Sequence, residues 1–375
     1  MKPNNPFVIY GYVSPEYFCD RQKETETIKS ALLNERNLTL IAPRRMGKTG
    51  LIKNTFYQMN HGESNIKCFY IDIFGTNNLN EFVSLLGSSI LGQLDTLSQS
   101  VLQKITGFFK SCRPVITVDE VSGMPSISLD IVPEQESVTL KEIFDYIALS
   151  NQKCYIAIDE FQQITEYPQK GVEALLRSYI QFIPNIHFVF SGSKQHIMTE
   201  MFASAKRPFY QSTQIMALAE IDEEKYLHFA EKWFSKEERR LLPEAFQYIY
   251  QKFEGHTWYI QFVLNRLYSQ QMKEITIQDV DAICTLILQE NEFMYQNYLA
   301  LLTENQAKLV KAIAKEGSVT AVNSSSFISK HKLKAASSVN TALKTLLEKE
   351  LVYNKKGEYI VYDRFWKEWL RMQPF

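Results

Sequence analysis

Leu38-Thr39-Leu40-Ile41-Ala42-Pro43-Arg44-Arg45-Met46-Gly47-Lys48-Thr49-Gly50-Leu51-Ile52 is the stretch that decides the fold. A short apolar run passes into a loop of small and basic residues, then Gly-Lys-Thr, then an apolar helical pattern. This is a strand, a phosphate-cradling loop and a helix in the pattern G-x-x-x-x-G-K-[ST], with Ala42 where that pattern has its first glycine. The chemistry explains the residue types. Successive backbone N–H groups at a helix N-terminus hold a di- or triphosphate, so the backbone must come close. Gly47 removes the Cβ that would obstruct that approach. Lys48 supplies a point charge between the β- and γ-phosphates, and the Thr49 hydroxyl completes a Mg²⁺ coordination sphere. Pro43 to Gly50, Met46 included, are therefore the expected nucleotide contacts, with Arg44 and Arg45 placed to steer an anionic nucleotide or to meet a lid.

Composition bounds the alternatives. The 375 residues suffice for two or three domains, and 45% apolar with 22% charged content is ordinary for a globular chain. The formal net charge of −1 hides an asymmetry: Thr303 to Phe375 holds 13 Lys/Arg against 7 Asp/Glu, a balance of +6 that leaves −7 to the rest. A basic C-terminal segment points weakly to nucleic acid or another acidic partner. Cys19, Cys68, Cys112, Cys154 and Cys284 are scattered, odd in number and without C-x-x-C spacing. That argues for reduced thiols in a cytoplasmic protein and against a metal cluster or disulfide framework. No apolar run approaches a membrane-spanning length, and no secretory leader is legible, so no membrane is expected as a partner.

Outward from the loop, strands and helices alternate. Lys67 to Ile73, Cys154 to Phe161, Ile186 to Ser193 and Thr213 to Leu218 read as further strands. They are nearly continuous apolar runs, as buried parallel strands are. A long helix is expected from Leu79 to about Phe109, then an inserted β-hairpin near 113–132. Polar residues gather at strand C-termini, which describes an open α/β sheet with its site at that edge. From Asp222 the pattern turns to helices only, with breaks at Ser235, Pro243 and Gly255-His256. The last segment reads helix (305–314), helix (325–330), helix (337–349) and a hairpin, Val352 to Val361, with a Lys-Gly turn. That is the order of a winged helix-turn-helix. The expected domains are a core over 1–220, a helical lid over 221–302 and a winged helix over 303–375.

Asp159-Glu160 carries the second signal. A carboxylate at the end of a buried apolar strand costs on the order of several kcal/mol uncompensated, so it needs a cation. The Mg²⁺ of a bound nucleotide supplies one to Asp159, while Glu160 is free to polarise a water for attack on the γ-phosphate. Helix N-termini also favour Asp and Glu, which is the competing account. Ser193, ahead of Ser191, is the candidate sensor of the γ-phosphate or the attacking water.

With these residues in view, the chain resembles the archaeal-type P-loop ATPases, close to the AAA+ and STAND groups and also common in bacteria. Phe18-Cys19-Asp20-Arg21-Gln22-Lys23-Glu24 is similar to the family's N-terminal F-x-G-R-x-x-E motif, with Asp20 for its glycine. Ala42 to Thr49 resembles G-P-R-R-x-G-K-[ST], Ile158 to Gln162 the Walker B segment, and Phe190 to Ser193 the sensor-1 strand. Arg207-Pro208-Phe209-Tyr210 is similar to the family's R-P-F-Y segment. Gly255-His256-Thr257 resembles the lid's G-x-P element without its proline, and Asp363 to Arg371 the D-P-L-F-R-x-W-x-R ending. The resemblance implies a core sheet of order 5-1-4-3-2 with Ser193 beside Thr49 and Asp159, a helical lid and a C-terminal winged helix. It also implies that Phe18, Arg21 and the lid gather around the adenine.

Arginine, histidine and DNA remain to be weighed. A finger arginine offsets charge on the transferred phosphoryl group and can be worth about 10³–10⁵ in rate. Arg207 is the first candidate and Arg177 the second, each equally served by a salt bridge. His256 could reach the nucleotide from the lid, while His187 inside a strand reads as core. The helix over 337–349 offers Ser337, Ser338, Asn340, Thr341 and Lys344, and the wing Lys355 and Lys356, as DNA-facing groups. With no arginine there, bidentate guanine readout is missing, and Trp366 and Trp369 read as packing residues. The expectation is a slow Mg²⁺-dependent ATPase that binds ATP and ADP. It would use Lys48, Thr49, Asp159, Glu160, Ser193 and Arg207, act as a switch on an unidentified protein partner, and could oligomerise. The alternatives are an ATP-regulated DNA-binding protein or a non-hydrolysing ADP-bound scaffold.

Overall fold

Leu38–Ile41 forms strand β1, and the sheet is built around it. The computed structural model describes residues 2–62, 65–94, 99–118, 125–150, 152–355 and 357–374. The chain divides into two compact units: Met1–Phe229 with His256–Trp258, and Ala230–Gly255 with Tyr259–Phe375.

The first unit opens with helix α1 (Gln22–Leu33), β1, α2 (Lys48–Gly62), β2 (Ile66–Asp72), α3 (Leu79–Leu94) and α4 (Gln99–Phe108). The long helix expected over 79–109 is described as α3 and α4, with residues 95–98 between them outside the described residues. Strands β3 (Cys112–Val118) and β4 (Pro125–Ile131) pair antiparallel as the inserted hairpin; its turn, 119–124, lies outside the described residues. Then follow α5 (Glu136–Ala148), β5 (Lys153–Asp159), α6 (Val172–Ile180), β6 (Ile186–Gly192), α7 (Gln195–Ala203) and β7 (Gln214–Ala217).

The five-stranded sheet runs β2-β5-β6-β1-β7, all pairs parallel. Counting its own strands in chain order, this reads 5-1-4-3-2 from the far edge, as the resemblance implied. The alternation of a strand sends successive side chains to opposite faces, and two apolar layers result. Ile156, Ile158, Phe188 and Phe190 enter the core beneath α3, α5, α6 and α7, while Tyr155, Ala157 and Val189 join α1 and α2 on the other face. The central strands β1, β5 and β6 are covered on both faces and so are largely apolar, with Thr39, His187 and Ser191 as polar exceptions within them.

The second unit holds the C-terminal part of α8 (Glu223–Ser235), then α9 (Pro243–Lys252), most of α10 (Thr257–Ser269), α11 (Ile277–Glu290) and α12 (Glu292–Ala300). The expectation of helices only is corrected here: β8 (Arg240–Leu241) and β9 (Glu274–Ile275) pair in parallel. Two residues a side are too few for a period of two to show in the sequence. The Arg239 guanidinium holds this corner by donating to the carbonyls of Leu267, Tyr268 and Met272.

Helices α13 (Glu304–Glu316), α14 (Ser325–Lys330) and α15 (Ala336–Glu348), the hairpin β10 (Val352–Lys355) and β11 (Glu358–Val361), and α16 (Arg364–Met372) follow the winged-helix order. Gly357, at φ 93°, makes the hairpin turn and donates its N–H to Asn354 Oδ1; Lys356 lies outside the described residues. Trp366 and Trp369 are buried, as their spacing on α16 predicts. Among the described residues no helix is long and apolar enough to cross a membrane, and all five cysteines are free.

Candidate functional site

The site forms at the carboxyl edge of the sheet, where Ile41 pairs with Gly192 and Asp72 with Asp159. The loop after β1 turns on Arg45 (φ 64°) and Gly47 (φ 96°), and α2 begins at Lys48. The first N–H groups of a helix have no partner inside it, so this loop and helix start present donors. Ala42 is not among the residues at positive φ, so the Cβ that replaces the expected glycine costs no backbone strain and is simply buried in the α1–α2 core. Phe18 lies over Gly50, where an added Cβ would meet its ring edge at 3.1 Å.

Lys48 is 5% exposed, and its ammonium donates to the carbonyls of Ala42 (3.0 Å) and Pro43 (3.2 Å). Burial pulls its pKa down, while Glu160 and Asp159 oppose that shift. Among the described residues no carboxylate lies within ion-pair distance of it. A buried cation held only by carbonyl dipoles suits an incoming anion. Asp159, 3% exposed, accepts the Thr49 hydroxyl on Oδ2 at 2.8 Å, joining loop and Walker B strand across 110 residues. The Tyr70 hydroxyl donates to the same oxygen at 2.6 Å, and the Glu160 N–H to Oδ1 at 3.0 Å. Burial first, then the Asp159 charge, drives the Tyr70 phenol well above its usual pKa, so it remains a donor.

Glu160 sits at φ 55° on the turn into a short 3₁₀ segment, Phe161–Glu166. Its Oε2 accepts from Ser193 Oγ at 2.6 Å and from Gln162 Nε2 at 2.5 Å. Gly192 makes that approach feasible: a Cβ there would come within 2.4 Å of Gln162 Oε1 and 2.5 Å of Met198. Ser191 is fully buried one strand position earlier, and its Oγ has no partner. Thr49, Asp159, Glu160 and Ser193 are thereby linked through side-chain and backbone hydrogen bonds, with Lys48 beside them. Among the described residues no three His, Cys, Asp or Glu side chains form a metal cage. Mg²⁺ needs none, since it keeps waters and binds through one or two carboxylates plus phosphate oxygens.

Other candidates lie elsewhere. Arg207 is paired with Glu173 and Glu200, at 2.5 and 3.7 Å, and Arg177 occupies the last turn of α6. Arg21 is buried at φ 67° and bonds Glu24. His256 is part-buried just ahead of α10, and His187 is half-buried in β6, with burial lowering its pKa. Arg44 lies 5.6 Å from the Phe74 ring, and Arg45 lies 4.3 Å from the ring of Trp258. Tyr70, Gln162 and Trp258 went unpredicted. Tyr70 had a signal, being two residues before the end of the strand that neighbours Walker B.

Comparison with solved structures decides the fold. The chain superposes over 98% of its length on the Walker-type ATPase PABY2304 of Pyrococcus abyssi, covering 100% of that chain at 15% identity with a TM-score of 0.63. The ORC2 protein of Aeropyrum pernix, solved in ADPNP–ADP complexes, matches 98% of this chain and 96% of its own at 16% identity and TM-score 0.59. This is a Walker-type ATPase fold. The ORC1 protein of Aeropyrum pernix, solved in complex with DNA, gives 98% and 96% coverage, 11% identity and TM-score 0.53. Residues 293–372 match the family model described as "Probable winged helix domain". No curated protein matches by sequence.

Proposed function

We propose that the chain is a Mg²⁺-dependent ATPase that works as a nucleotide switch. The observation that carries the reading is the joined pair Thr49–Asp159 beside Lys48, a buried ammonium that donates to two carbonyls and has no carboxylate within ion-pair distance among the described residues. Nucleotide-bound Mg²⁺ would neutralise charge between the β- and γ-phosphates. The remaining roles belong to the chain. Lys48 exchanges its two carbonyl acceptors for phosphate oxygens, the N–H groups from Arg44 to Gly50 cradle the β-phosphate beside Pro43, and Thr49 and Asp159 are the metal-facing oxygens. Glu160, steadied by Ser193 and Gln162, orients the attacking water. Ser193 thus reports the γ-phosphate through Glu160, and Phe18, Arg21 and His256 are assigned to the base. If Lys48→Ala leaves nucleotide affinity unchanged in calorimetry, the reading falls.

The switch needs a route from the core (1–220) through the lid (221–302) to the winged helix (303–375). The peptide Glu254 to Trp258 is our candidate. Trp258 stacks on Arg45 of the phosphate loop, and the Thr257 carbonyl accepts from Tyr226. At its other end Glu254 pairs with Arg364 at 3.0 Å and Lys367 at 3.1 Å, both on α16. A phosphate that recruits Arg45 competes with its stacking on Trp258, and strain passes along five residues to the C-terminal helix. An arginine supplied by a second copy or by a protein partner would serve where Arg207 is already paired.

A second reading, ATP-regulated DNA binding, is favoured by the exposed Ser337, Asn340, Thr341 and Lys344 on α15 and by the DNA complex of the ORC1 protein. Duplex DNA of random sequence, titrated at two salt concentrations with ATP and with ADP, tests it: a nucleotide- and salt-dependent shift supports it, and none at low salt removes it.

A further inference from the structure

We propose that Tyr70 is a positioning residue of this site, whose hydroxyl fixes the Asp159 carboxylate for the divalent cation that accompanies the nucleotide. The proposal rests on the nucleotide reading and deepens it. Three groups orient Asp159: Thr49 Oγ1 at 2.8 Å and Tyr70 Oη at 2.6 Å on Oδ2, and the Glu160 N–H at 3.0 Å on Oδ1. The first and third come from motifs that any reading of the site includes. The second comes from the neighbouring strand, for a reason of register. Tyr70 lies opposite Ala157, two positions before Asp159, so all three residues address the same face of the sheet, the one covered by α2. The ring is set in place independently, with Lys53 Nζ 4.6 Å from its centroid.

The energetic argument concerns geometry. Mg²⁺ demands near-ideal octahedral coordination and gives up water reluctantly. Asp159 at the open end of a strand can turn about its side-chain bonds, and Thr49 is itself a metal-facing group. Tyr70 is the one donor on Oδ2 that has no other task at the site, so it holds the carboxylate plane while Thr49 engages the metal. Outer donors of this type typically account for about 10–100-fold in metal affinity when removed.

The test uses the full chain and a fluorescent ADP analogue, titrated in EDTA and across a Mg²⁺ series. Tyr70→Phe deletes one oxygen and keeps the ring. The expected result is unchanged metal-free affinity with the Mg²⁺ half-saturation point raised about 10–100-fold. In an Asp159→Asn background the same change should add nothing, because the charged acceptor is gone. Unaltered Mg²⁺ dependence in Tyr70→Phe, or an equal shift with and without the Asp159 carboxylate, overturns the proposal. So does loss of the folded state, followed by circular dichroism, which would assign the hydroxyl to folding. A wild-type chain that binds the analogue neither with nor without Mg²⁺ overturns the nucleotide reading and this proposal with it.

Discussion

Glu160 occupies the left-handed region at φ 55°, where a long side chain is uncommon and costs on the order of 1–3 kcal/mol. Such a cost persists only where neighbours over-determine it. Here Ser193 and Gln162 hold the carboxylate and Asp159 takes the N–H. The arrangement aims one oxygen and spares the other, which is what orienting a water requires. Glu160→Gln should bind ATP as wild type does while phosphate release falls by about 10²–10⁴; equal turnover would remove Glu160 from its role. The residue types at 47–49 and 159–160 were legible because phosphate chemistry tolerates few substitutes. The hydrogen bond from Ser193 to Glu160 was not, since a side-chain contact across 33 residues leaves no local pattern.

At the scale of elements, the R-P-F-Y segment changes meaning. The sequence offered Arg207 as a finger or, equally, as a salt-bridge residue, and the structure adds that Phe209 is buried. Its ring meets Phe161 at 5.5 Å, Phe190 at 5.4 Å and Phe202 at 5.3 Å, pinning the segment behind both the Walker B turn and the sensor strand. Arg207 at the head of that turn reaches Glu173 on α6. Phe209→Ala should destabilise the first unit by about 3–5 kcal/mol in chemical denaturation, and a smaller loss would mean that the cluster collapses to fill the gap. Alternating strands and helices were legible from period and length. The β8–β9 pair was not, because a two-residue ladder is set by what packs against it.

For the molecule as a whole, the chain leaves the second unit at Gly255 and returns at Tyr259. Glu254 ends the outgoing segment in the left-handed region at φ 53°, between two cations that are themselves buried, Arg364 and Lys367. Burial pushes its carboxyl pKa up, but Arg364 and then Lys367 outweigh that, and the net shift is downward. A lowered folded-state pKa means that the folded state binds fewer protons than the unfolded one in this window. The stabilisation is therefore complete above the ordinary glutamate pKa and lost as pH falls through the lowered one. Glu254→Gln should lower the thermal midpoint of the second unit at neutral pH, and the gap to wild type should close on acidification below about pH 4.5. A gap that stays constant with pH would assign the loss to shape rather than charge.

The sequence by itself determined the phosphate loop, the carboxylate pair, the strand order through resemblance, and the winged-helix order of elements. Each is a local pattern whose chemistry or periodicity acts over a few residues. Only the tertiary structure decided which donors surround Asp159, that the buried Lys48 donates to two carbonyls, that Arg207 pairs with Glu173 and Glu200, and that Glu254 answers to α16. Those are pairings between distant positions. Register and packing create them, and no spacing along the chain encodes them.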